Sequence, residues 1–190
     1  AMWRKLTAAD YVTTAWSGGA TTQIAIAPEG ASYADRDFLW RVSSATVEWE
    51  ESDFTALPDY RRFIAPLRGG MTLTHGGSAP VALVPYQVHA FDGGEATHSR
   101  GCCTDLNLML RRGRAEGAME AIRLNGRLRS VRPEHPGEEL LLYCAEGSVT
   151  VGPEGTELRA GEALYARGAD ACSLELTGEG VVMLCRMWSL

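Results

Sequence analysis

The chemistry available to this chain lies in a few polar side chains set inside strand-like, apolar stretches. Trp40-Arg41-Val42-Ser43-Ser44 places an arginine and two hydroxyls in such a run. Arg61-Arg62 stands directly before the apolar Phe63-Ile64, and Thr104-Asp105-Leu106-Asn107-Leu108-Met109 puts Asp105 and Asn107 on one face of a strand. An arginine taken partly out of water needs a carboxylate partner or an anionic ligand. Two readings follow. In one, an Arg–Asp pair is purely structural and Asn107 satisfies backbone groups at a strand end. In the other, the group lines a concave mouth and an arginine binds a small carboxylate bidentately. Both hold together if Asp105 orients an arginine that also meets the ligand.

Other chemistries find less support. The four histidines, His75, His89, His98 and His135, form neither HxH nor HxxxH, so no metal and no cofactor are expected. There is no GxSxG elbow, and no cysteine sits in a context that lowers a thiol pKa. Gly18-Gly19, Gly76-Gly77 and Gly93-Gly94 read as turns, because none lies between a strand and a helix as a phosphate loop does. His89 ends a strand and reads as a rim residue. A competing reading is an enzyme working on a small carboxylate without metal, with Asp105 or His89 moving a proton.

The elements that must position these residues are strands. Gly69-Gly70-Met71-Thr72-Leu73-Thr74 and Glu146-Gly147-Ser148-Val149-Thr150-Val151 form a weak internal repeat, each followed by a second turn-bounded segment. Strand, turn, strand, corner, strand, met twice, is the rhythm of two small β-barrels or jelly-roll halves. Along Phe38 to Val47, alternation puts Trp40, Val42 and Ser44 on one face and Arg41, Ser43 and Ala45 on the other. Along Thr21 to Pro28 it sets Thr22, Ile24 and Ile26 against Thr21, Gln23 and Ala25. Asn125-Gly126, between Ala118–Leu124 and Arg127–Val131, predicts a type I′ hairpin. Thr7-Ala8-Ala9-Asp10 fits a capping box, so a short helix is expected near residue 8. The fold class is all-β with one minor N-terminal helix.

Composition narrows the setting. The chain has 190 residues, 45% of them hydrophobic, enough for a substantial core. A net charge of −6 argues against a general nucleic-acid binder, and the run Arg111, Arg112, Arg114, Arg123 is broken by acidic residues. No apolar stretch approaches the roughly 20 residues of a membrane span, and the N-terminal residues lack a signal-peptide layout. Ala1 before Met2 reads as a remnant of a cleaved tag. Five cysteines without CxxC spacing read as free, mostly buried thiols. A cytoplasmic protein is expected.

At this point the motifs resemble a known family. Trp16-Ser17-Gly18-Gly19-Ala20-Thr21-Thr22-Gln23-Ile24, Trp40-Arg41-Val42-Ser43-Ser44-Ala45 with Val47, Phe54-Thr55-Ala56-Leu57-Pro58 leading to Arg61, and Asp105-Leu106-Asn107-Leu108-Met109 followed by Arg112-Gly113 are similar to the HutD/Ves family. Residues 3 to 190 match in order. The family's basic residue, asparagine and three glycines are shortened here to Trp16-Ser17-Gly18-Gly19-Ala20, and Asp59 stands where glycine is frequent. The resemblance implies a bicupin, one unit over residues 3–190, with a first cupin half over roughly 14–110 and a second over roughly 111–190, strands being exchanged between them. It implies a metal-independent carboxylate-binding protein, a sensor or regulator linked to histidine utilisation. The pocket it implies is Arg41, Ser43, Arg61, Asp105 and Asn107, flanked by Trp16, Thr22 and Gln23. A third reading is a structural module that forms a homodimer through a sheet face near Trp188 or Leu140-Leu141-Leu142.

Overall fold

A computed structural model describes residues 1–190. The chain divides into two compact units, residues 12–115 and residues 1–11 with 116–190. Both are built from strands, and no α-helix is present. The expected N-terminal helix is a single 3-10 turn, Ala8–Asp10. Its capping box does form, with the Thr7 N–H donating to Asp10 Oδ2 at 2.9 Å. The β-branched Val12-Thr13-Thr14 that follow enter a strand and end it.

After β1 (Met2–Leu6), the 12–115 unit holds β2 (Val12–Trp16), β3 (Gly19–Ala27), β4 (Trp40–Val47), β5 (Glu51–Asp53), β6 (Tyr60–Arg68), β7 (Met71–His75), β8 (Val81–Leu83), β9 (His89–Asp92), β10 (Thr97–Arg100) and β11 (Cys103–Arg111). These make two sheets, in the orders β2-β3-β4-β11-β6-β9 and β5-β10-β7-β8. Ile64, Met71, Leu73, Leu83, Phe91 and Cys103, drawn from both sheets, form one apolar cluster. The sheets stay open where closed barrels were expected. Edge strands β2 and β9 do not pair with each other, and every residue of β2 is exposed.

The second unit adds β12 (Ala115–Asn125), β13 (Arg129–Val131), β14 (Glu139–Gly152), β15 (Thr156–Arg159), β16 (Ala163–Arg167) and β17 (Leu174–Ser189). Together with β1 they form one seven-stranded sheet. Its strands enclose an aliphatic cluster that includes Leu124, Leu140, Leu142, Val149, Leu164, Val182 and Leu184. Leu140, Leu141 and Leu142 are fully buried, so that strand offers no exposed apolar face for dimerisation. Trp188 is stacked on His135 at 3.7 Å.

Asn125-Gly126 does not close a hairpin. Strands β12 and β13 both pair with β17, and the Gly126 N–H donates to the Gly178 carbonyl at 2.9 Å, so the chain runs on along β17. A type I′ turn needs positive φ at both central residues. Gly126 has φ 88°, but Asn125 is not among the residues with positive φ. The local signal lost to the long partner strand. Opposite β14, β17 carries Gly178 (φ 118°) and Gly180 (φ 140°), where a Cβ would meet the Ser148 and Glu146 carbonyls at 2.2 and 2.0 Å. Close backbone approach there requires glycine. No helix is long and apolar enough to cross a membrane. All five cysteines are free; Cys103, Cys144 and Cys185 are buried, whereas Cys102 and Cys172 are exposed.

Candidate functional site: a cavity with two buried arginines

Strand β11 runs between β4 and β6, and its register assembles the site. Met109 lies opposite Arg41 on one side and Arg62 on the other, Asn107 opposite Ser43, and Asp105 opposite Ala45. Cross-strand partners share a face, so all of these side chains emerge together. They line a cavity of about 410 Å³ to which Trp16, Thr21, Tyr33 and Phe54 also contribute. The faces predicted for Arg41, Ser43 and Ala45 and for Asp105 and Asn107 are those observed.

Both guanidiniums are deeply buried, Arg41 at 7% exposure and Arg62 at 6%. Arg41 Nε donates to Gln23 Oε1 at 2.8 Å, and the guanidinium lies 4.1 Å from the Tyr33 ring centre. Arg62 Nε donates to Asn107 Oδ1 at 3.4 Å, with the Phe54 and Phe91 rings 5.2 and 5.1 Å away. Neither arginine has a carboxylate partner. The chain's ion pairs lie elsewhere, as between Arg112 and Asp92 or Arg186 and Glu138. Burial lowers the pKa of Arg41 and brings that of Arg62 down to about 10. Both remain cationic at neutral pH. Amide oxygens hold each Nε and aromatic rings sit beside the guanidiniums, leaving the terminal nitrogens for an in-plane acceptor.

Asp105 does not pair with either arginine. Its Oδ1 accepts the Ala45 N–H at 3.3 Å, and its backbone carbonyl accepts the Ser44 hydroxyl. Burial pushes the carboxyl up to about 7, opposed by that N–H and by the Arg62 charge. The expected Arg–Asp pair is therefore absent, and Asn107 is the side chain that orients Arg62.

Three expected residues stand differently. Arg61 is exposed, opposite Leu110 on the other face of β6 and 5.1 Å from the Phe63 ring. The buried arginine of the pair is Arg62, since neighbours on a strand point to opposite faces. Thr22 shares a hydrogen bond with Thr13 and lies outside the cavity lining, where Thr21 takes its place. Gln23 holds Arg41 rather than forming wall; a bulge between Gln23 and Ala25 breaks the alternation there. Trp16 does line the cavity. Besides Arg62, sequence reasoning missed Tyr33, Phe54 and Met109; Met109 carried a signal in its place on the Asp105–Asn107 face, Phe54 one in its motif, and Tyr33 none. His89 is outside the lining and is bonded through Nε2 to His75 Nε2 at 2.9 Å.

Comparison with known proteins now decides the family. The HutD family profile matches residues 8–184. The chain belongs to the HutD family. Comparison with curated proteins finds no match. Among solved structures, this HutD-family chain is similar to a conserved protein of unknown function from Pseudomonas aeruginosa PAO1, at 28% identity and TM-score 0.82, covering 98% of each chain. It is similar also to HutD from Pseudomonas fluorescens SBW25, described in a formate condition, at 25% identity and TM-score 0.82 over 100% of each chain. A bacterial pirin from Escherichia coli in complex with nickel(II) has TM-score 0.70 at 9% identity, over 97% of this chain and 98% of that one, which shows a shared cupin-like fold.

That last relative raises the matter of a metal. Nowhere in this chain do three or more His, Cys, Asp or Glu side chains gather to hold an ion. The cavity lining presents two guanidinium cations, the Asn107 amide and two carboxyls, of which Asp105 is buried and Asp53 is exposed. Such a donor set repels a divalent cation, and the residues present do not fit one.

Proposed function

We propose that this HutD-family protein binds a small carboxylate in its cavity without metal, as a sensor or regulator linked to histidine utilisation. The observation that carries this reading is the pair of buried guanidiniums, Arg41 and Arg62, which lack any carboxylate partner in the chain and border one cavity. An isolated buried charge is costly, and a bound anion is what offsets that cost. The arginine forks clamp the carboxylate, Ser43 and Asn107 add neutral hydrogen bonds, and Trp16 forms part of the wall. Family membership supports the link to histidine utilisation. The same reading places the protein in the cytoplasm, where free thiols persist.

The test is a thermal-shift screen against urocanate, formiminoglutamate, glutamate and formate, with divalent metals in parallel. A ligand at 100 times its Kd stabilises the fold by about 2.7 kcal/mol, a shift of a few degrees. The expected result is a carboxylate shift lost in Arg41→Gln and Arg62→Gln and kept in Arg61→Gln. Silence from every carboxylate with a clear metal response would overturn the reading.

A further inference from the structure

The arginines of the cavity are oriented by neutral groups, while its one buried acid, Asp105, stands apart from them. Gln23 and Asn107 supply amide oxygens to Arg41 and Arg62. Asp105, 3% exposed, receives one N–H from Ala45 and no side-chain hydrogen bond. An acid needed only to neutralise an arginine would be bonded to it. A carboxylate ligand seated on the guanidiniums therefore enters a cavity that already contains a buried carboxyl group. Two carboxylates buried in one cavity resist being ionised together, and one of them takes a proton.

We propose that Asp105 is the proton acceptor of the binding step, so that the cavity takes up one carboxylate and one proton together. The proposal rests on the carboxylate reading above. When Asp105 is ionised, the ligand anion and one proton from solvent go in, and the product is a neutral Asp105 beside a bound anion. When Asp105 is already protonated, the anion enters alone. In either case the two guanidiniums end facing one buried negative charge, that of the ligand, since the other acid of the lining, Asp53, is exposed and bonded to His98. A neutral Asp105 also gains an O–H donor, which the ligand oxygen can accept.

The surroundings favour a carboxyl poised for this role. Burial holds the acid toward neutrality, the Ala45 N–H and Arg62 from β6 hold it toward ionisation, and the balance leaves it titrating at about 7. Arg41 faces the cavity from β4, and Tyr33 from the turn before it. Asp53 of β5 also lines the cavity, with its Oδ1 bonded to His98 Nδ1 at 2.8 Å. Cys103, on the strand of Asp105 itself, is pushed up to about 12 and stays a neutral thiol. No histidine lines the cavity, so none competes with Asp105 for the proton there.

The experiment is isothermal titration of the wild-type protein with formate, and with glutamate as a larger probe, between pH 6 and 9. Phosphate and Tris buffers, which differ in ionisation enthalpy, report the protons taken up. Uptake should approach about one proton per ligand at the alkaline end and fade toward pH 6, with affinity falling about tenfold per pH unit above neutrality. Adding formate at pH 8 should raise the infrared C=O band of a protonated carboxyl group. Asp105→Asn should bind with an affinity that pH no longer changes, and should lack the band. Binding with no proton uptake, or a pH dependence that survives in Asp105→Asn, would overturn this proposal and leave the carboxylate reading standing. Wild-type protein that binds neither probe at any pH would bring down both.

Discussion

Two buried arginines, one in each unit, have opposite surroundings. Arg186, 9% exposed, donates from Nη1 to Glu138 Oε2 at 2.8 Å and to the Arg132 carbonyl at 2.7 Å. Glu120 and Glu134 lie within 3.6 Å of its other nitrogen. Arg62, at 6% exposure, has one long bond to an amide and no acid. The unit around Arg186 is filled by aliphatic side chains, whereas the unit around Arg62 keeps about 410 Å³ of space beside it. The contrast separates a charge that the fold completes from a charge that the fold leaves for something else. Burial alone would not have told them apart; the identity of the partner does.

The largest expected effect is on the completed charge. Glu138→Gln should destabilise the protein by about 3–5 kcal/mol, because it leaves Arg186 buried without its nearest anion. Urea unfolding measures this, and a loss below about 1 kcal/mol would dissolve the contrast. Next comes Asp105. Its folded pKa is raised above the usual carboxylate value, so between about pH 4 and 7 the unfolded chain releases a proton that the folded chain keeps. Wild-type stability should fall as pH rises through that window and level off above it. Asp105→Asn should remove the fall and gain on the order of 3 kcal/mol at pH 8 relative to wild type. Unfolding curves at pH 5 and pH 8 check the sign.

Smaller still is Arg62→Met, which removes an unpaired buried charge and should leave stability unchanged or raise it by about 1 kcal/mol while abolishing carboxylate shifts. A loss as large as that of Glu138→Gln would make Arg62 a structural group after all. The smallest effect belongs to the rim. A Cβ on Gly18 would lie 2.2 Å from the Trp16 ring and 2.7 Å from Trp49, the two indoles being packed edge to face. Gly18→Ala should displace them, shifting tryptophan emission and weakening ligand binding, with under about 1 kcal/mol lost because the two rings that must move are exposed.

Much of the site was legible along single strands. The spacing of Arg41 and Ser43, and of Asp105 and Asn107, assigns each pair to one face because side chains alternate with a period of two. Between Arg61 and Arg62 the same rule had no anchor. Beyond them Ile64, Ala65, Pro66 and Leu67 are all buried, so apolar pattern does not say which parity faces inward. The bulge at Gln23 and Ala25 and the continuation past Asn125-Gly126 were hidden for a related reason. Both depend on what the neighbouring strand does.

By itself the sequence determined an all-β chain, its family, and an unusual density of polar groups on half-buried strands. These are properties of local pattern: alternation, turn residues and motif order. Only the tertiary structure decided which arginine is inside, that no acid meets it, and that Asp105 stands alone beside it. Those facts belong to register between β4, β11 and β6, strands separated by up to about sixty residues in the chain. A one-residue slip in that register would turn every one of these side chains to the opposite face.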